Sequence, residues 1–366
     1  MRKKAIKKCI ATILAMSMSL SVKINTPIKA SESNVETSAE STWQETEMGK
    51  LKNVTGTQRA EDWKIFGEKK NDVGFMMEPE RSTAGLLFHY YLLRDGKSKI
   101  KTYYAGEISE YDNKNYRVGG IRKKGNKTYV CQITGKKKIR IVVYNNKKKV
   151  VQKKTINVKK LLQKEVRNKK SEFIVTSNLY VIGKNKVRIL YWSSNGSVKK
   201  TCIGGYADLN IKTGKIVDKK KVNFLPQSWE GGYLVGEAGE NYVIAKASTG
   251  KIVKKVSSRY GEPENIDEQL KEKHGEFYEC RRTCDFQSGK VMFINASGVY
   301  YATAKSKAVV KIADNSELPY YQFGTASRYV SRLVMKNKSE FYISYCEGAF
   351  PESWNYQEYL VHYKKN

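Results

Sequence analysis

The chain has 366 residues, with 68 Lys+Arg against 36 Asp+Glu and a formal net charge of +32. A hydrophobic fraction of 40% supplies a core, which separates it from disordered polybasic chains. Six cysteines, one of them (Cys9) in an apolar N-terminal run, leave an odd number for the rest of the chain, so a disulfide framework does not organise the fold.

Residues 1–30 read as a signal peptide. Arg2, Lys3, Lys4, Lys7 and Lys8 precede the apolar run Cys9–Val22, and Ala30 offers a small residue before polar Ser31. The apolar run is shorter than the roughly 18–20 residues of a spanning helix, so cleavage is expected, with an uncleaved membrane anchor as the alternative. Cleavage removes seven basic residues and lowers the charge to +25. No later stretch reads as a membrane span. Residues 31–50 hold Glu32, Glu36, Glu40, Glu45 and Glu47 among Ser and Thr, and read as a disordered polar spacer. Residues 51–366 form the folded domain. The lysine-rich leader and sparse cysteine point to a bacterial secreted protein.

Short strands follow in sequence. Leu86–Leu93 is a buried-strand run. Lys127–Ile133, Ile139–Tyr144 and Val150–Ile156 form one set, with turns at Thr134–Lys136 and Asn145–Lys147. Val158, Leu161, Leu162 and Val166 share a helical face, which predicts a short helix over Val158–Asn168 capped by Asn157. Glu172–Ile182, Lys186–Trp192, Thr201–Ile211 and Lys215–Lys220 form a second set. Pro263–His274, acidic at its start and basic near its end, predicts a second helix.

The pentapeptide TGKIV occurs at Thr213–Val217 and again at Thr249–Val253, each time between an apolar strand and a lysine-rich one. Tyr300–Ala313 carries a weaker copy. Candidate units lie at 60–110, 116–158, 172–222, 223–258, 276–314 and 327–366. The segments Ala207–Asp218 and Ile244–Lys255 resemble the strand–TGK–strand hairpins of β-propeller proteins, without pointing to a subfamily. That resemblance implies an all-β array of about five to seven antiparallel units with two short helical insertions. Two smaller β-domains are the alternative.

Between Arg122 and Lys170 the chain places 19 basic residues and one acid, Glu165. Two readings compete: a patch for an anionic polymer, or lysines that blunt exposed sheet edges. The turn lysines Lys136, Lys137, Lys138, Lys147, Lys148 and Lys149 are the candidate contacts. Trp229 and Trp354 sit in glycine- or polar-rich segments that read as loops, and are candidate sugar-stacking rings. No zinc-finger, helix-turn-helix or RNP-type pattern supports sequence-specific nucleic-acid recognition. Three histidines and a lone Cys280–Cys284 pair make a weak metal site, and no cofactor motif occurs. Glu230, Glu237, Glu347 and Glu352 are the carboxylates available to a glycosidase-like pair. The reading favours a secreted or cell-surface binding protein for anionic or carbohydrate polymer. A carbohydrate-active enzyme on a propeller scaffold and a protein–protein scaffold are the rivals.

Overall fold

A computed structural model describes residues 43–50, 73–76, 80–112, 116–135, 137–162, 173–194, 203–274, 282–314, 317–318, 328–347 and 357–366. The leader, Lys136, Cys280, Glu352 and Trp354 lie outside them.

The strands form six antiparallel sheets, the blades of a β-propeller. In chain order the first strand is β1 (Trp43–Lys50). Blade 1 holds β2 (Val73–Met76), β3 (Glu80–Ser82), β4 (Gly85–Arg94) and β5 (Lys97–Gly106). In it β2 and β3 lie end to end along one edge of β4, with β5 on the other. The short helix α1 (Ile108–Asp112) leads to blade 2: β6 (Arg117–Lys124), β7 (Lys127–Gly135), β8 (Lys138–Asn145) and β9 (Val150–Asn157). Blade 3 is β10 (Phe173–Gly183), β11 (Lys186–Ser194), β12 (Ile203–Asn210) and β13 (Lys215–Val222). Blade 4 is β14 (Leu225–Glu230), β15 (Tyr233–Ala238), β16 (Asn241–Lys246) and β17 (Ile252–Ser257). Helix α2 (Ile266–His274) precedes blade 5: β18 (Thr283–Gln287), β19 (Lys290–Asn295), β20 (Gly298–Thr303) and β21 (Val310–Ala313). Blade 6 takes β22 (Arg328–Asn337), β23 (Glu340–Glu347) and β24 (Gln357–Lys365) from the C-terminal end and β1 from the other end of the chain.

Packing explains the sequence pattern within each blade. Both faces of a blade are covered by its neighbours, so the middle strands are apolar on both sides: β8 is buried from Ile139 to Tyr144 and β19 from Val291 to Asn295. The last strand has an open edge. In β13 only Val222 is fully buried, and in β17 only Val256. Among the described residues each of the six seams between blades has its own apolar cluster. Val334, Tyr342 and Leu360 of blade 6 pack with Val73, Tyr91 and Leu93 of blade 1, which closes the ring.

Several expectations change. Trp43–Lys50 is a strand, not part of a disordered spacer: β1 pairs with β24 from Trp43↔Lys365 to Lys50↔Tyr359. Backbone pairing and burial of Trp43 offset the polar composition that suggested disorder. Over Val158–Asn168, residues Lys159–Leu161 form a 3₁₀ turn and 163–168 lie outside the described residues. Val158, Leu161 and Leu162 are buried as their spacing suggested. Asn157 Oδ1 accepts from the Lys159 N–H (2.9 Å), a local turn contact rather than a helix cap. The second predicted helix forms, starting at Ile266.

Candidate functional site

The two TGKIV segments occupy equivalent places, each joining the third strand of a blade to the last. Gly214 has φ +77° and Gly250 φ +76°, a left-handed conformation that glycine adopts without a Cβ clash. Gly214 N–H donates to Asn210 O (2.8 Å) and Gly250 N–H to Lys246 O (2.7 Å). The turn after β8 belongs to the same series, with Lys148 in the left-handed position at φ +60°. A polar side chain ties each turn to itself. Asn145 Oδ1 accepts from Lys147 N–H and Lys149 N–H, and Asn210 Oδ1 from Lys212 N–H and Thr213 N–H, all at 3.0 Å. Thr303 Oγ1 accepts from Lys305 N–H and Ser306 N–H in blade 5. With the backbone satisfied locally, Lys147, Lys149, Lys212, Lys251 and Lys305 are all exposed at these turns.

Of the six lysines singled out from the sequence, the five described do not share one surface. Lys137 and Lys138 lie at one end of β8 and Lys147, Lys148 and Lys149 at the other. Eight residues at about 3.3 Å each put roughly 25 Å between the two groups. Lys148 also leans inward: its Nζ donates to Ala84 O (3.5 Å) and lies 5.2 Å from the Tyr104 ring centroid. Lys138, Lys147 and Lys149 are exposed, and Lys137 is half-buried.

Part of the lysine excess ties blades together. Lys219 Nζ donates to Lys160 O (3.2 Å) and Lys221 Nζ to Leu162 O (3.3 Å), from blade 3 to the segment leaving blade 2. Lys254 Nζ donates to Ser306 O (3.0 Å) and Lys307 O (2.9 Å) in the outer turn of blade 5. A Cβ on Gly214 would meet Lys154 Cε of β9 at 2.6 Å, so that turn rests on the preceding blade. The described arginines of the basic run are not surface groups. Arg122 sits 5.7 Å from the Tyr180 ring centroid, and burial lowers its pKa. Arg140 is buried, donating to Gln132 Oε1 (2.6 Å), and pairs with Glu110 at 3.2 Å.

Trp229 is the next-to-last residue of β14 and packs in the seam between blades 3 and 4. The Arg188 guanidinium lies 4.3 Å from its ring centroid and 3.9 Å from that of Tyr206. Two hydrogen bonds, 2.6 and 3.0 Å, hold Arg188 to Asp208. The Tyr180 ring meets the indole edge-on at 5.4 Å. The indole is therefore half-buried beside a cation, not displayed on a loop. No motif marked this cluster; Arg188 and Asp208, opposite each other on β11 and β12, become visible only with the strand register.

Glu230 and Glu237 sit at opposite ends of the β14–β15 pair, where Glu230 faces Tyr233 and Glu237 faces Leu225. Five residues of strand, about 17 Å, exceed the ~5–9.5 Å of a glycosidase pair. Gln227 Nε2 donates to Glu237 Oε1 (2.9 Å), and Cys284 Sγ lies 3.8 Å from the same oxygen.

No protein-family model and no curated protein matches the sequence. Solved propeller-type structures resemble it loosely. The WD40 domain of SCAP from fission yeast has 10% identity and TM-score 0.36, covering 88% of this chain and 70% of that one. The α-L-arabinanase of Penicillium chrysogenum has 9% identity and TM-score 0.42, covering 85% and 98%. A member of the duf4221 family from Bacteroides vulgatus has 12% identity and TM-score 0.36, covering 84% and 98%. Among the described residues no helix is long and apolar enough to cross a membrane.

Proposed function

We propose that the protein is exported and acts as a non-enzymatic binding protein for anionic polymer. The observation that carries this reading is the recurrence of exposed lysines at equivalent outer turns of successive blades: Lys147 and Lys149, Lys212, Lys251, and Lys305. Lysine presents a flexible point charge instead of a bidentate fork, which suits a polymer whose charges are spaced along a chain. Export rests on the leader pattern of residues 1–30.

The test compares the chain lacking residues 1–30 on long-chain inorganic polyphosphate and on neutral dextran across a salt series. Screening shortens from about 10 Å at 0.1 M to about 3 Å at 1 M. Polyphosphate binding should fall linearly on a log–log plot, and dextran binding should be weak and insensitive to salt. Equal binding of dextran would overturn the reading and move attention to Trp229.

A further inference from the structure

We propose, building on the polymer-binding reading, that the contact surface is one continuous track across the outer edges of blades 2, 3 and 4, occupied by a single extended linear polyanion. Contiguity supports this. The blade 3 turn at Gly214 abuts Lys154 on the outer strand of blade 2. The blade 4 turn at Gly250 abuts the Lys221 carbonyl and the Lys220 side chain on the outer strand of blade 3. Each turn thus rests on the lysine-rich outer strand of the preceding blade, so the path crosses these two blade boundaries without a gap.

The charge along the path is predominantly basic: across the outer turns and strands 147–157, 212–222 and 249–257 the one acid is Asp218, exposed on β13. Lys147 and Lys149 present the basic charge in blade 2, Lys212 and Lys215 in blade 3, and Lys251 and Lys255 in blade 4; all six are exposed. The acids beside the path have partners, Asp218 a neutral hydroxyl that leaves its charge in place and Glu110 two cations. Asp218 accepts from the Tyr206 hydroxyl (3.2 Å), and Glu110 pairs with Arg140 and Lys153. The outer strand of blade 6 carries Glu45 and Glu47 instead, so the track is an open arc. A surface of separate lysines distributed over three blades matches a long flexible polyanion and offers a compact anion no convergent set of donors.

The experiment uses three double variants of the chain lacking residues 1–30: Lys147→Gln with Lys149→Gln, Lys212→Gln with Lys215→Gln, and Lys251→Gln with Lys255→Gln. None removes a lysine that bonds a neighbouring blade, and circular dichroism melting checks that each folds. Long-chain inorganic polyphosphate and tripolyphosphate are the probes. Each double variant should reduce the salt slope for the long chain by about 1.5, from roughly 0.7–0.9 per contacted charge. Tripolyphosphate should bind much more weakly than the long chain. If only the blade 2 variant alters the slope, the contact is a local patch and the track is wrong. If the parent binds and no variant alters the slope, the contact lies elsewhere and the track is likewise wrong. If tripolyphosphate binds as well as the long chain, the site is compact and the track is overturned. A parent chain that fails to bind polyphosphate at low salt removes the polymer-binding reading itself, and the track with it.

Discussion

The outer strands of blades 3 and 4 and the outer strand of blade 6 hold equivalent places in their sheets and are kept there by different means. β13 and β17 each follow a tight turn whose geometry sets their register, and each buries little: Val222 in one, Val256 in the other. They have room for lysine, which also discourages edge-to-edge pairing. β1 has no turn, since its partner β24 lies at the far end of the chain. Its docking depends on side chains. Trp43 is 4% exposed, meets Phe341 edge-on at 5.0 Å, and joins Ala313 and Leu318 in the seam with blade 5. A covalent turn thus does for β13 and β17 what a buried indole does for β1, and only the turn-tethered strands are free to specialise their surface.

The largest expected effect tests the side-chain anchor. Trp43→Ala should destabilise the protein by about 3–5 kcal/mol in urea unfolding, the usual cost of emptying a large aromatic site. A loss below ~1 kcal/mol would mean that β1 is held by its backbone ladder alone. Next comes the turn. Gly214→Ala places a Cβ in left-handed backbone and against Lys154, and should cost roughly 1–2 kcal/mol by the same measurement.

Glu45 tests the closure strand by pH. Burial pushes its carboxyl from 4.5 up to about 7, and its Oε1 is buried without a hydrogen-bond partner among the described residues. The folded state then binds more protons than the unfolded chain between these values. The contribution is fully present below about pH 4.5 and is lost as pH rises through about 7. Glu45→Gln should remove that decline and raise stability at pH 8 by ~1 kcal/mol or less, given solvent screening of a partly exposed group. A pH profile of unfolding midpoints for both proteins checks this. The smallest effect on stability belongs to the exposed turn lysines. Lys212→Gln with Lys215→Gln should change unfolding free energy by less than about 0.5 kcal/mol. A larger loss would make these lysines struts like Lys219 and Lys221.

Much of the ring was legible because each blade repeats a local pattern. The six units read from turn spacing match the six blades except that blade 6 also takes β1, and the TGKIV glycines sit where the hairpins require them. What was not legible depends on distance in the chain. Trp43–Lys50 looks polar because a closure strand buries few residues and finds its partner about 310–320 positions away. Trp229 looked like a loop residue because Gly231 and Gly232 follow it, yet the strand runs through Glu230. Lys137 and Lys138 looked like one patch with Lys147, Lys148 and Lys149 because the two groups are close in sequence. The strand between them carries them to opposite ends of the blade.

Lysine-reactivity footprinting by mass spectrometry, with and without long-chain polyphosphate, tests the central claim most directly. Acylation of Lys147, Lys149, Lys212, Lys215, Lys251 and Lys255 should be protected by the polymer at low salt and restored at 1 M salt. Lys138, at the far end of β8, should react equally in both states. Uniform protection of all exposed lysines, or protection confined to Lys138 and its neighbours, would contradict the account.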